Sequence, residues 1–261
     1  MPLAHLEGRR VIRVSGGEAR DFLQGLLTQD ITRLAGASPL WAGLLSPQGK
    51  AQFAMFLHAD GEDVLIDVEG AVADALMKRL ALYRLRRPVG LEATDLAVYA
   101  AWGPEAAGHP ADPRWAGAGA RWVAPAGAHV PNADEAAYRR HRLALGLPDQ
   151  AEVEDLLWLE TNAAELHGVS FTKGCYVGQE NTARMHHRDR VRRRLLPLEL
   201  SGPPGHERVW AGEREAGVLR GSPEGPVVLA HLRLELLDRP LEVAGHPARL
   251  LRPPWLPAEA F

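Results

Sequence analysis

The chain has 261 residues, 46% of them hydrophobic, with 30 Lys plus Arg against 33 Asp plus Glu and a formal net charge of −3. That length suits one large domain or two to three small ones with a sizeable core, and near-neutrality excludes bulk attraction to nucleic acid. A single cysteine excludes an intrachain disulfide and fits a reducing compartment; with no run near the ~18 apolar residues of a membrane helix and no signal-peptide core in MPLAHLEGRR, the expectation is a cytoplasmic protein.

Arg9 to Val14 reads as a strand. Ser15, with Glu18 three residues on, has the pattern of a capping box. Phe22, Leu23, Leu26 and Leu27 then recur at helical spacing. Leu40 to Leu45 and Ala51 to His58 read as strands joined by the turn Ser46-Pro47-Gln48-Gly49. A strand over Val64 to Val68 follows Asp60-Gly61. Val72, Leu76, Leu80 and Tyr83 mark a second amphipathic helix, and Val89 to Ala93 and Leu96 to Ala101 are further strands. This order, with short links, predicts an α+β arrangement of helices on antiparallel sheets.

Pro104 to Pro131 predicts an irregular excursion with one short strand at Arg121 to Ala124. Asn132 is the expected cap of a helix over Ala133 to Leu145, ended by Gly146 and Pro148. After Arg194 the character changes. Short strand-like stretches at Leu195 to Leu200, Gly217 to Arg220, Val227 to Glu235 and Leu241 to Leu251 predict a small β-barrel or sandwich. The boundary is therefore placed between residues 1–194 and 195–261.

The cysteine lies in Lys173-Gly174-Cys175-Tyr176-Val177-Gly178-Gln179-Glu180. A lone cysteine is ordinarily a small buried hydrophobe. Here Gly174 and Gly178 leave it approachable, and Lys173 is near enough in sequence to favour the thiolate, the reactive and metal-binding form. One thiolate cannot hold an iron–sulfur cluster, which generally takes ~4 ligands. Any cluster role is therefore transient, shared between chains, or completed by other ligands. A persulfide or mixed disulfide is equally compatible. Gln179 and Glu180 are expected to organise the turn through backbone hydrogen bonds.

Ala183 to Arg194, with six arginines and two histidines, reads as a solvated strand face or as a site for a polyanion or an acidic protein. It lacks the aromatic residues of single-strand RNA recognition. On a strand, His186 and His187 would point in different directions, and no Cys/His zinc spacing accompanies them; no stable metal site is expected.

The motif, with Leu166-His167-Gly168-Val169-Ser170-Phe171 before it and Thr182-Ala183-Arg184 after it, resembles the signature of the YgfZ family. Those are folate-binding proteins related to the T-protein of the glycine cleavage system and implicated in assembly or maintenance of iron–sulfur enzymes, one of them tRNA-modifying. Ser15 to Asp30, Gly43 to Lys50, Tyr83 to Arg86 and Gly212 to Gly217 also resemble family blocks, so the likeness spans most of the chain. It implies a T-protein-like fold: two intertwined α+β subdomains followed by a C-terminal β-barrel.

The resemblance further implies a tetrahydrofolate pocket with Glu160 on the pterin, Trp158 beside it, Thr28 and Asp30 from the end of the first helix, and Tyr83 and Arg84 for stacking and charge. It makes Cys175 and Lys173 the functional pair, supported by Gly174, Tyr176, Gly178, Gln179, Glu180 and Arg184. The implied partners are folate and iron–sulfur client or assembly proteins. The T-protein's catalytic aspartate motif has no counterpart here, which counts against the alternative of a folate-dependent one-carbon transferase. A second alternative is an RNA-contacting adaptor working through Arg184 to Arg194.

Overall fold

The computed structural model describes residues 1–187 and 191–260. It holds three sheets. The central one has five antiparallel strands in the order β3-β4-β5-β2-β6, formed by β2 (Arg9–Ser15), β3 (Leu40–Leu45), β4 (Ala51–Asp60), β5 (Asp63–Glu69) and β6 (Gly90–Ala93). Alternation along these strands sorts their side chains onto two faces. Ile12, Val14, Leu44, Met55, Leu57, Val64 and Ile66 face α1 (Ala19–Gln24) and α2 (Gly70–Arg84) in one core. Trp41, Leu45, Ala54 and Phe56 face the opposite way, into a second core.

A three-stranded sheet, β1-β7-β8, comprises β1 (Leu3–His5), β7 (Leu96–Ala101) and β8 (Ala120–Pro125). It is followed by α3 (Glu135–Ala144), α4 (Gln150–Val153) and α5 (Gln179–His187). The C-terminal part is a closed barrel in the order β10-β11-β12-β9-β14-β13. Its strands are β9 (Arg193–Leu200), β10 (Arg208–Ala211), β11 (Arg214–Glu224), β12 (Val227–Arg233), β13 (Leu241–Val243) and β14 (His246–Leu250). Closure leaves no unpaired strand edge. Leu195, Val227 and Leu229 of the barrel pack in the same core as Trp41 and Phe56.

Three expectations are corrected. Ser15 does not cap α1: it is the last residue of β2, paired with Gly90, and the helix starts four residues later at a Glu18 N-cap without a side-chain bond. Asp134, not Asn132, caps α3; Asn132 instead accepts from Leu3 N–H and donates to the Met1 carbonyl. The His186-His187 segment is not a strand but the last turn of α5, whose buried stripe is Thr182 and Met185. Further along the basic run, Arg188, Asp189 and Arg190 lie outside the described residues. Arg194 is no solvated face either: it is buried against Asn162 Oδ1 (2.9 Å) and Glu165 (2.7 Å).

Between the sheets lies a buried ion network. Asp67 accepts from Arg9 Nε (2.6 Å) and Arg121 Nε (2.7 Å), Asp149 from Arg9 (2.8 Å), Asp112 from Arg114 (2.6 Å), and Glu152 from Arg142 (3.1 Å). The guanidinium groups of Arg121, Arg114 and Arg9 lie 3.9, 4.8 and 5.6 Å from the centre of the Phe56 ring, within reach of its negative face. Four arginines thus meet four carboxylates. Burial pushes the Asp67 carboxyl up, but Arg121 and Arg9 outweigh it and hold the group far below the usual carboxylate range. The excursion expected to be irregular supplies Asp112 and Arg114, which is why it is fixed in place.

Candidate functional site

The motif loop is held from below. Lys173 is buried, and its ammonium donates to the carbonyls of Gln24 (2.7 Å), Leu27 (2.6 Å) and Gln29 (3.0 Å). The first is a carbonyl of the last turn of α1 and the other two lie in the segment just after it. A cation at a helix C-terminus is favoured by the dipole, and all three N–H donors are used. The same ammonium stands 5.1 Å from the Tyr176 ring. Burial brings it down to about 8, against the pull of the Asp30 carboxylate. The sequence suggests that Lys173 acts on the thiol; the geometry instead commits it to the backbone beneath the loop.

Gly178 is fixed by shape. Its φ of +81° is a left-handed value, and a Cβ there would sit 2.5 Å from the Ser46 carbonyl oxygen and 2.8 Å from Leu45 Cβ. The glycine is therefore needed to seat the loop on the β3–β4 turn, more than to open a path to the sulfur. Gly174 is different: a Cβ there meets nothing within 4 Å. Tyr176 is buried in the core beside Trp158, and burial raises its phenol to about 12, against a bond to Thr182. Gln179 and Glu180 open α5, with Glu180 in the first turn where a carboxylate suits the dipole. Asn181 donates to the Gln48 carbonyl (2.8 Å) and accepts from Arg184 (2.6 Å). His186 stacks on Phe171 with ring centres 3.6 Å apart.

Between these anchors Cys175 is exposed. Every neighbour with a structural task points into the protein, and the sulfur points out. Among the described residues, no three His, Cys, Asp or Glu side chains converge to hold a metal ion.

Of the residues expected to bind folate, Thr28 and Trp158 meet at the Gly168 carbonyl, and each of the six has its own surroundings. Thr28 is fully buried and its hydroxyl is used twice, donating to the Gly168 carbonyl (2.6 Å) and accepting from Gly43 N–H (2.8 Å). Trp158 is 1% exposed, packs against Trp41 at 4.8 Å and donates its indole N–H to the Gly168 carbonyl (3.0 Å). It is core, with Gly43 and Gly168 making room for its ring. Glu160 turns toward the barrel, its carboxylate 3.0 Å from His231 Nε2 but off the line of a hydrogen bond. Asp30 caps the turn Ile31–Arg33. Burial pushes its carboxyl up, but bonds from Thr32 and Gln24 and the nearby Lys173 leave it below its usual value. Tyr83 and Arg84 end α2, where Arg84 donates to the Val89 carbonyl (3.2 Å).

A cavity of about 320 Å³ lies elsewhere, among Gly8, Glu69, Glu135, Tyr138, Asp149 and Glu224, and none of the six expected residues lines it. The Thr28 hydroxyl and the Trp158 indole N–H are thus committed to backbone partners and are not free for a pterin. Sequence reasoning passed over the ion network, although Arg9, Asp67, Arg114 and Arg121 punctuate otherwise apolar stretches.

A family model described as the C-terminal β-barrel domain of CAF17 matches residues 192–258. In fold the chain is similar to the glycine cleavage system aminomethyltransferase T from Bartonella henselae, with a TM-score of 0.77 over 98% of this chain and 86% of that one. At 16% identity that likeness shows the fold alone, and it is the T-protein-like fold expected. In sequence the chain is similar to the mitochondrial iron-sulfur cluster assembly factor IBA57 of Homo sapiens, 36% identical over 91% of this chain and 79% of the relative. It is also similar to IBA57 of Mus musculus, 33% identical over 98% and 85%. These relatives carry the IBA57 name, not that of YgfZ. They are named mitochondrial, which overturns the cytoplasmic expectation. The chain belongs to the IBA57 family of iron-sulfur cluster assembly factors.

Proposed function

We propose that this protein assists assembly of iron–sulfur clusters by contributing Cys175 as one ligand to a cluster whose other ligands come from a partner protein. The observation that carries this reading is an exposed thiol on a loop fixed at both ends. In the ligation step the thiol gives its proton to solvent and the sulfur donates an electron pair to iron; no oxidation is involved. A cluster generally takes ~4 protein ligands. Among the described residues no three His, Cys, Asp or Glu side chains converge on one point, so this reading assigns the remaining positions to a partner. The cluster is cargo here, held while it is built or passed on.

The fixed loop supports the reading physically. A ligand that need not be ordered on contact saves the entropy of immobilising a loop. Lys173 under the loop and Gly178 against the β3–β4 turn supply that order.

The test is Cys175→Ala in a reconstituted assay of client-enzyme activation. The account expects an unchanged melting temperature and loss of activation. A fully active variant would defeat it.

A further inference from the structure

Among the described residues, the large hydrophobic side chains that stand exposed are Met1, Leu82, Leu85 and Val130. Two of them lie three residues apart at the C-terminal end of α2, with Leu82 70% and Leu85 84% exposed. Leu82 stands on the last turn of the helix and Leu85 just past its end.

The backbone at Leu85 is equally unusual. The Arg87 N–H donates to the Arg84 carbonyl (3.0 Å), closing a four-residue turn in which Leu85 has φ 52° and ψ −115°. Those angles belong to the first central position of a type II′ turn, which is a glycine position because a Cβ is strained there. Strain of this kind persists where something else requires it. Burial does not compensate Leu85, and the backbone bonds that close the turn are ones a glycine would make equally well, so the leucine side chain is unexplained within the chain.

Charge defines what could meet it. From Lys78 to Arg87 there are five cations and no acid, in a protein whose net charge is −3. Arg86 is exposed beside Leu85, and the exposed Arg87 stands 3.8 Å from Glu18. An apolar knob beside guanidinium groups fits an apolar pocket rimmed by carboxylates, which arginine forks engage bidentately. A membrane is the poorer match. An interfacial helix needs an apolar face along its length, whereas the exposed side of α2 carries Ala71, Asp74, Ala75 and Lys78 before the leucines.

The patch also lies near the working sulfur. Arg87 meets Glu18 at the N-terminal end of α1, and Lys173 reaches the carbonyl of Gln24 at its C-terminal end. Six residues of helix span about 9 Å. Tyr83 of α2 and Val177 of the motif pack against the same core. The arginine-rich knob and the Cys175 loop thus flank one short helix.

We infer that Leu82 and Leu85, with Arg84 and Arg86, form the docking surface for an acidic iron–sulfur protein, the partner that completes coordination at Cys175. The inference rests on the Cys175 reading above.

The experiment places the photo-crosslinker benzoylphenylalanine at Leu82 in the full-length chain, irradiates whole cells and identifies the adduct by mass spectrometry. The captured protein is then purified and titrated against the wild type, Leu85→Gly, Arg86→Glu and Cys175→Ser. The expected adduct is with an acidic iron–sulfur protein. Leu85→Gly and Arg86→Glu are each expected to weaken binding by roughly tenfold or more. Leu85→Gly should do so with an unchanged or raised melting temperature, because glycine relieves the turn. Cys175→Ser should bind as the wild type but take up no cluster.

No adduct, an adduct with no acidic iron–sulfur protein, or wild-type affinity in Leu85→Gly would overturn the docking surface. So would Leu85-dependent binding to phosphatidylglycerol vesicles with no protein partner. If Leu85→Gly binds normally while Cys175→Ser still fails to take up the cluster, the docking surface falls and the thiol reading stands. If Leu85→Gly loses the partner while Cys175→Ser takes up the cluster, the thiol reading falls and the surface stands.

Discussion

The Cys175 loop and the ion network around Phe56 both depend on buried cations, yet the cations act in opposite ways. Around Phe56, Arg9, Arg114, Arg121 and Arg142 face carboxylates on all sides, and the charge is consumed inside the fold. Beneath Cys175, Lys173 faces three neutral carbonyls, and its effect is to hold a loop whose reactive atom is outside. The concentration of charge is greatest where the role is structural. The candidate working site is a nearly uncharged loop, and its mark is an exposed sulfur among inward-facing neighbours.

The largest expected effect breaks the first region. Asp67→Ala leaves Arg9 and Arg121 buried without their carboxylate, and removal of one partner from a buried pair costs about 3–5 kcal/mol. Urea unfolding should show that loss, with the rate of Cys175 alkylation in the native state unchanged. Lys173→Met breaks the second region. Buried carbonyls left unpaired make a loss of about 3 kcal/mol the expectation, and here alkylation of Cys175 should change because the loop is no longer pinned. A change in alkylation for Asp67→Ala, or none for Lys173→Met, would erase the distinction between the two regions. Gly178→Ala is smaller, about 2 kcal/mol, because a Cβ must enter a left-handed position against the Ser46 carbonyl.

The smallest effect depends on pH. Burial and the nearby Asp149 carboxylate raise Glu69 to about 7, against the pull of Arg9. The folded state then holds a proton that the unfolded state, with its ordinary value of 4.5, has released. Stability must fall as pH rises from about 4.5 to 7 and stay lower above that. Glu69→Gln should therefore be more stable than the wild type at pH 8 and indistinguishable from it at pH 4. Melting temperatures at the two pH values decide it.

Local patterns in the sequence reveal much of this fold. Leu40 to Leu45 and Leu96 to Ala101 are strands with the expected bounds, because uninterrupted apolar runs leave little choice of register. The capping signals show the limit. Ser15 and Glu18 match the pattern, but strand pairing with Gly90 claims Ser15. Asp149 and Glu152 match it equally and do form a capping box, on α4, a helix too short to show periodicity. In the site, the two glycines suggest an approachable Cys175, but only Gly174 stands in open space, while Gly178 seats the loop. The three carbonyls around Lys173 were not foreseeable, because they lie 144 to 149 residues away in sequence. Trp158 and Thr28, expected beside a ligand, are buried with their polar groups bonded to backbone; composition cannot tell a stacking platform from a packed indole.

The central claim is most directly tested by alkylating Cys175 with iodoacetamide in the free protein and again after cluster assembly with the partner. The account predicts prompt labelling of the free protein and protection that appears with the cluster and disappears when iron is chelated. Equal labelling in both states would contradict it.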